Sequence, residues 1–249
     1  MKPLLAIFLF CLAKPTTAQK IFAYEEKLEL SEDHNRKEIK FTNPGDGVEL
    51  AGTFIYPNKE FDKVVMIIPG SGKDTRHSHF DVAKEFLLHQ VAVYRFDERG
   101  IGASGGKYKR YHETASALEE DVIAAFKRLK GLEILSDKKI GILGHSLGGI
   151  ASIGAFGKGC DFDFLIQMAT PVENKGAFLN YQALTNTGGF YTVKGKTTDE
   201  VIHFINVVRK AVQPDEDYKT TKKNTKAIIK QLNFQKGRHI IKPVIIDLI

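Results

Sequence analysis

One stretch of this chain has residue types and spacing suited to covalent chemistry: Gly144-His145-Ser146-Leu147-Gly148-Gly149. It follows an apolar run, Lys139-Ile140-Gly141-Ile142-Leu143, and precedes a small-residue stretch, Ile150-Ala151-Ser152-Ile153-Gly154-Ala155. The pattern predicts a strand, a sharp turn and a helix, with a serine at the apex. A serine held in so tight a turn occupies a strained backbone, and a Cβ two residues to either side would clash. Gly144 and Gly148 remove those clashes and let the Ser146 hydroxyl stand clear of the sheet edge. The helix start behind it offers free N–H groups where negative charge would develop. A serine hydroxyl is a weak nucleophile by itself. It needs a base, a group to orient that base, and donors for the oxyanion. The Leu147 N–H is one donor. Pro69-Gly70-Ser71-Gly72 follows the apolar run Val64–Ile68, and there the Ser71 N–H is the best second donor.

The elements that must position these groups are legible as alternating strand and helix signals. Residues 36–57 read as a β-hairpin turning at Asn43-Pro44-Gly45-Asp46-Gly47. Val64–Ile68 is continuously apolar, as expected of a strand covered on both faces. Phe80, Ala83, Phe86 and Leu87 mark a helix, Val91–Phe96 a strand, and Leu118, Val122, Ala125, Phe126 and Leu129 a helix at 3.6 spacing. Ile140–Leu143 enters the serine turn, and Phe164–Ala169 is a further strand. The alternation predicts a mostly parallel sheet with helices on both faces and ligands beyond the C-terminal strand ends, where Ser71, Ser146 and Ala169-Thr170 all fall.

From Glu173 to about Lys236 the pattern is helical. Thr197-Thr198-Asp199-Glu200 is a capping box, and Val201, Phe204, Ile205, Val208 and Val212 form the stripe of the helix it opens, stopped by Pro214. An earlier helix carries Phe178, Leu179, Gln182 and Ala183, and a later one Ala227, Ile228 and Leu232. This insertion is expected to lie over the cleft as a cap. Ile240–Ile249 reads as one more strand.

The totals bound the function classes. The 249 residues suit one α/β domain with an insertion, or two small domains. A formal net charge of +6 comes from scattered lysines, with a local cluster at Lys219, Lys222, Lys223, Lys226 and Lys230 read as the wet face of a helix rather than a nucleic-acid patch. Lys2, the apolar stretch Leu4–Ala13 and the small residues Thr16 and Ala18 read as an export signal cut before Gln19, the competing reading being a buried N-terminal helix. Beyond that cut Cys160 is a lone thiol, so no intramolecular disulfide is expected, and no other segment is apolar enough to cross a membrane. No metal-ligand spacing and no phosphate-loop signature occur, so no metal and no cofactor are expected.

Taken together these features resemble the α/β-hydrolase superfamily, and within it bacterial serine aminopeptidase S33-type hydrolases, a group rich in carboxylic ester hydrolases. The resemblance runs through Ala51-Gly52-Thr53-Phe54-Ile55-Tyr56-Pro57, the loop Gly70-Ser71-Gly72-Lys73-Asp74-Thr75-Arg76, the D-x-R-G-x-G-x-S motif Asp97–Ser104, and the nucleophile elbow Gly144–Gly149. Asp97 and Arg99 are read as ties for their turn. The resemblance implies a core over 19–172 behind a signal peptide at 1–18, a helical cap over 173–236 and a final core strand at 237–249. It implies Ser146 as nucleophile, Ser71 and Leu147 as oxyanion donors, and a small-molecule ester or amide substrate. The family places its acid and histidine after a strand beginning Pro-Val. Here Pro243-Val244 opens that strand, and the sequence as given is expected to lack the acid loop, the histidine loop and the last strand and helix of the pattern. Asp247 sits inside the strand and does not take the acid role. His203 and His239 read as surface or packing residues, His145 as pointing away from the hydroxyl, and His77 and His79 as near the cleft without a partner to orient them. Two expectations follow: an exported serine hydrolase acting on carboxylic esters, or a catalytically incomplete binding protein on the same scaffold. Residues 243–249 are expected to promote self-association as an uncovered sheet edge.

Overall fold

The computed structural model describes residues 22–29, 32–108, 114–172, 177–187, 191–193, 195–211 and 218–232. The proposed export signal, Cys11, Glu173, Val212, Pro214, His239, Asp247 and the strand at 240–249 lie outside these residues.

The hairpin is built from β1 (His34–Thr42) and β2 (Glu49–Pro57), paired antiparallel from His34 opposite Pro57 to Thr42 opposite Glu49. Its turn closes as the residue types require. Asn43 Oδ1 accepts the Gly45 N–H at 2.8 Å, the Gly47 N–H returns to the Asn43 carbonyl at 2.9 Å, and Gly47 takes φ +73°. Then come β3 (Lys63–Ile68), α1 (Phe80–Leu88), β4 (Ala92–Phe96), α2 (Thr114–Lys130), β5 (Lys139–His145), α3 (Leu147–Gly157) and β6 (Leu165–Met168). Among the described residues the sheet has six strands in the order β1-β2-β4-β3-β5-β6. β4, β3, β5 and β6 run parallel, and the hairpin joins antiparallel through β2 and β4.

The apolar run of β3 explains its central place. Val64, Met66 and Ile68 pack with Leu118, Val122, Ala125 and Leu129 of α2 and Ala151 and Ala155 of α3. Val65 and Ile67 face the other way, into a cluster with Ala83 and Leu87 of α1. A strand with two buried faces has no polar positions to spare. The helices on both faces and the parallel core match what the alternation predicts.

Three helices follow: α4 (Phe178–Thr185), α5 (Thr198–Ala211) and α6 (Tyr218–Gln231). They share a separate apolar cluster of Leu179, Ala183, Val201, Phe204, Ile205 and Val208, with Ile228, Ile229 and Leu232 against it. The capping box forms as read. The Glu200 N–H donates to Thr197 Oγ1 at 3.2 Å, and the Thr197 N–H donates to Glu200 Oε2 at 2.8 Å. One position of the α6 stripe differs: Ala227 is exposed and Ile229 packs in its place. A single small residue carries little burial free energy, so the larger side chain two positions on sets the rotation of the helix. Lys219, Lys222, Lys223, Lys226 and Lys230 are all exposed, a solvated face. Cys160 is buried, which pushes its thiol pKa up. Among the described residues no helix is long and apolar enough to cross a membrane.

Candidate active site at the strand-to-helix turn

Ser146 sits between the last residue of β5 and the first of α3, with φ 51° and ψ −116°. A non-glycine residue at positive φ costs on the order of 1–3 kcal/mol and persists only where its surroundings hold it. The surroundings here are backbone and the Thr170 side chain. The Ser146 N–H donates to the Met168 carbonyl at 3.0 Å, and Thr170 Oγ1 donates to the Gly144 carbonyl at 3.3 Å. A Cβ on Gly148 would lie 2.3 Å from the Pro69 oxygen and 2.4 Å from the Ile68 oxygen. One on Gly144 would lie 2.5 Å from the Gly149 Cα. Gly149, which the bare motif does not single out, is equally constrained: its Cβ would overlap Thr170 Oγ1 at 1.8 Å.

The same closeness brings in the second loop. Ile68 is in register with Gly144, so the chain leaving β3 and the chain leaving β5 start side by side. A Cβ on Gly70 would be 3.3 Å from the Ser146 Cβ, which puts Pro69–Gly72 directly against the serine. Ser71 is exposed there, while Ser146 and Leu147 are half-buried. Leu147 opens α3, where the first N–H groups have no acceptor within the helix.

Behind the loop stands a polar network between distant segments. Asp97 is fully buried. It accepts the Arg76 N–H and the Arg76 Nη2, each at 2.8 Å, and the Ala103 N–H at 2.8 Å. Ser104 Oγ donates to the Asp97 carbonyl at 2.6 Å. Asp97 therefore ties its own turn, as read, and also anchors the chain that runs on from Ser71. Arg99 behaves differently from that reading. It reaches out of the turn to Asp121 on α2, both bonds at 2.6 Å, and to Asp46 in the hairpin turn. Glu98 accepts the Asp74 N–H at 3.0 Å. Burial pushes Glu98 up to about 8 and Asp74 up to about 6, with nearby carboxylates adding to each.

The histidines fall as follows. His79 Nε2 lies 3.0 Å from His145 Nδ1, with the two rings nearly edge to face. Burial lowers His79 to about 4, with His145 and Arg95 adding to it. His77 is also lowered to about 4, by burial first and then by the Arg95 charge. His203 is exposed on α5. Among the described residues none of these rings bonds to the Ser146 hydroxyl, and no cluster of His, Cys, Asp and Glu could hold a metal ion. The sequence motifs gave no sign of the His79–His145 contact, because it joins an αL residue at the start of α1 to the elbow across 66 positions.

Residues 59–224 match the family described as serine aminopeptidase, S33. The chain belongs to that family. Its mixed six-stranded sheet with flanking helices is an α/β-hydrolase fold. A curated relative, a polyketide transferase, grgF, of Penicillium sp, is 27% identical over 122 residues, which are 48% of this chain. The match spans only 40% of that relative's length. Among solved structures, a hypothetical protein of Pseudomonas aeruginosa, PA2218, superposes with a TM-score of 0.51 at 15% identity, covering 76% of this chain and 67% of that one. The α/β-hydrolase GrgF from Penicillium gives a TM-score of 0.49 at 21% identity, covering 73% and 68%.

Proposed function

We propose that this S33-family chain is a serine hydrolase of carboxylic esters, with Ser146 as nucleophile. The observation that carries this reading is the strained backbone of Ser146 between β5 and α3, packed against the Pro69–Gly72 loop. The Ser146 oxygen attacks the ester carbonyl, and its proton ends on the departing alcohol. The N–H groups of Ser71 and Leu147 receive the oxyanion, and collapse of the tetrahedral species expels the alcohol and leaves an acyl-serine that water hydrolyses. In this reading α4–α6 form the cap that selects the acyl or leaving group. Residues 1–18 are removed on export, which intact mass of the secreted protein would show as a chain starting at Gln19. Hydrolysis of a short-chain nitrophenyl ester, lost in Ser146→Ala with unchanged circular dichroism, tests the assignment. Equal turnover by the variant would contradict it.

A second reading has one observation in its favour. His79, the histidine nearest the elbow in the α1 loop, is committed to His145 rather than to the serine. A scaffold kept for binding, without turnover, would show this. It predicts a folded protein inert toward the ester.

A further inference from the structure

On the α1 side of the sheet a cavity of about 220 Å³ opens between β1, β2 and the segment at residues 27–28. Four cations line it: Lys27, Arg36, Arg76 and Arg95. Glu38 is the one carboxylate in the lining, and it is already engaged by Arg76 Nη1 and, at 2.7 Å, by Thr53 Oγ1. Arg76 spends its remaining terminal nitrogen on Asp97.

Arg95 is the anomaly. It is 4% exposed, yet among the described residues its guanidinium gives a single hydrogen bond, from Nη1 to the Ser78 carbonyl at 2.9 Å. Among the described residues no carboxylate lies within ion-pair distance of it. Arginine is almost never buried unless paired, because taking the charge out of water is costly. Burial, then the like charge of Arg36, pulls Arg95 down to about 10, against Glu25 and with a further push from Arg76. Two more buried nitrogens beside it, Arg76 Nε and His77 Nδ1, have no hydrogen-bond partner among the described residues. Lys27 and Arg36 are exposed at the same pocket, and Arg36 gives one bond, to the Leu28 carbonyl at 3.2 Å.

We infer that this cavity is a binding site for a phosphate group, with Arg95 and Arg76 as its floor and Lys27 and Arg36 as its mouth. Planar guanidinium forks match the oxygens of a phosphate and satisfy it with paired hydrogen bonds. An oxyanion seated there supplies the negative charge that Arg95 lacks. The cavity exceeds the space one phosphate fills, so it also suits a phosphate monoester with a short organic arm.

Titration of the purified chain with inorganic phosphate and with glycerol phosphate, followed by calorimetry and by ³¹P line broadening at low ionic strength, tests this. We expect saturable one-site binding, weakened about tenfold or more by the double substitution Lys27→Glu and Arg36→Glu at the exposed mouth. Arg95→Met should abolish it. Glycerol phosphate binding more tightly than the free ion assigns the site to a monoester, and equal affinity assigns it to inorganic phosphate. No saturable binding up to about 10 mM of either probe, or binding unchanged in the mouth variant, would overturn the inference. The mouth variant decides the matter even if Arg95→Met does not fold.

Discussion

Around Ser146 the protein packs backbone on backbone, whereas α4–α6 are joined by side chains. In the turn, Gly144 and Gly148 leave no room for a single added carbon, and the contacts they make are with carbonyls and main-chain atoms that have no rotamers to change. In the helices, Phe204, Ile205 and Val208 fill a cluster whose members can repack. The turn is thus specified atom by atom, and the helical segment by the period of its apolar residues. A region built the first way can hold a strained serine, and a region built the second way can vary its lining while keeping its helices.

The largest expected effect follows from Gly148→Ala. Its new methyl would meet two main-chain oxygens, so either β3 or α3 must move. We expect a loss on the order of 5 kcal/mol, exceptional for one substitution, measured by denaturant unfolding. A loss under about 1 kcal/mol would mean the contact relaxes freely and the contrast fails. Next is Phe204→Ala, fully buried in the helical cluster, at about 3–4 kcal/mol, while Phe204→Leu should cost less than about 1.5 kcal/mol because the cluster repacks.

A smaller effect separates the regions by pH. Glu98 lies behind the serine loop with its pKa raised from 4.5 to about 8. The folded state therefore holds a proton that the unfolded chain has released, so this contribution is full below pH 4.5 and is lost as pH rises toward 8. His77 and His79, lowered from 6.5 to about 4, act oppositely, losing stability as pH falls below 6.5. Between pH 6.5 and 8 the Glu98 slope stands alone among these groups. We expect stability to fall there by at most about 2 kcal/mol and Glu98→Gln to flatten the fall. An unchanged slope in that variant would remove Glu98 from the account. The smallest change is Thr197→Ala, which deletes the α5 cap for about 1 kcal/mol and should leave ester hydrolysis intact.

Elements fixed by neighbouring residues are legible in the sequence, and those fixed by distant pairs are not. The elbow was legible because its constraint is local: five residues, two of them glycines, state the turn. The stripe of α5 and its capping box were legible because helical period and caps are local too. The hidden parts all depend on pairs far apart in the chain. Arg99 belongs to Asp121 and Asp46 rather than to its own turn, Arg76 to Asp97, and His79 to His145. Arg95 reads in sequence as one charged residue in an apolar strand, and only the fold reveals that its charge is buried beside other cations.

Intact-mass analysis after treatment with a fluorophosphonate tests the role of residue 146 most directly. The account predicts a single stoichiometric adduct on folded wild-type protein, mapped to Ser146 and absent from Ser146→Ala. A folded wild-type chain that takes no adduct, or an adduct that survives the substitution, would contradict it.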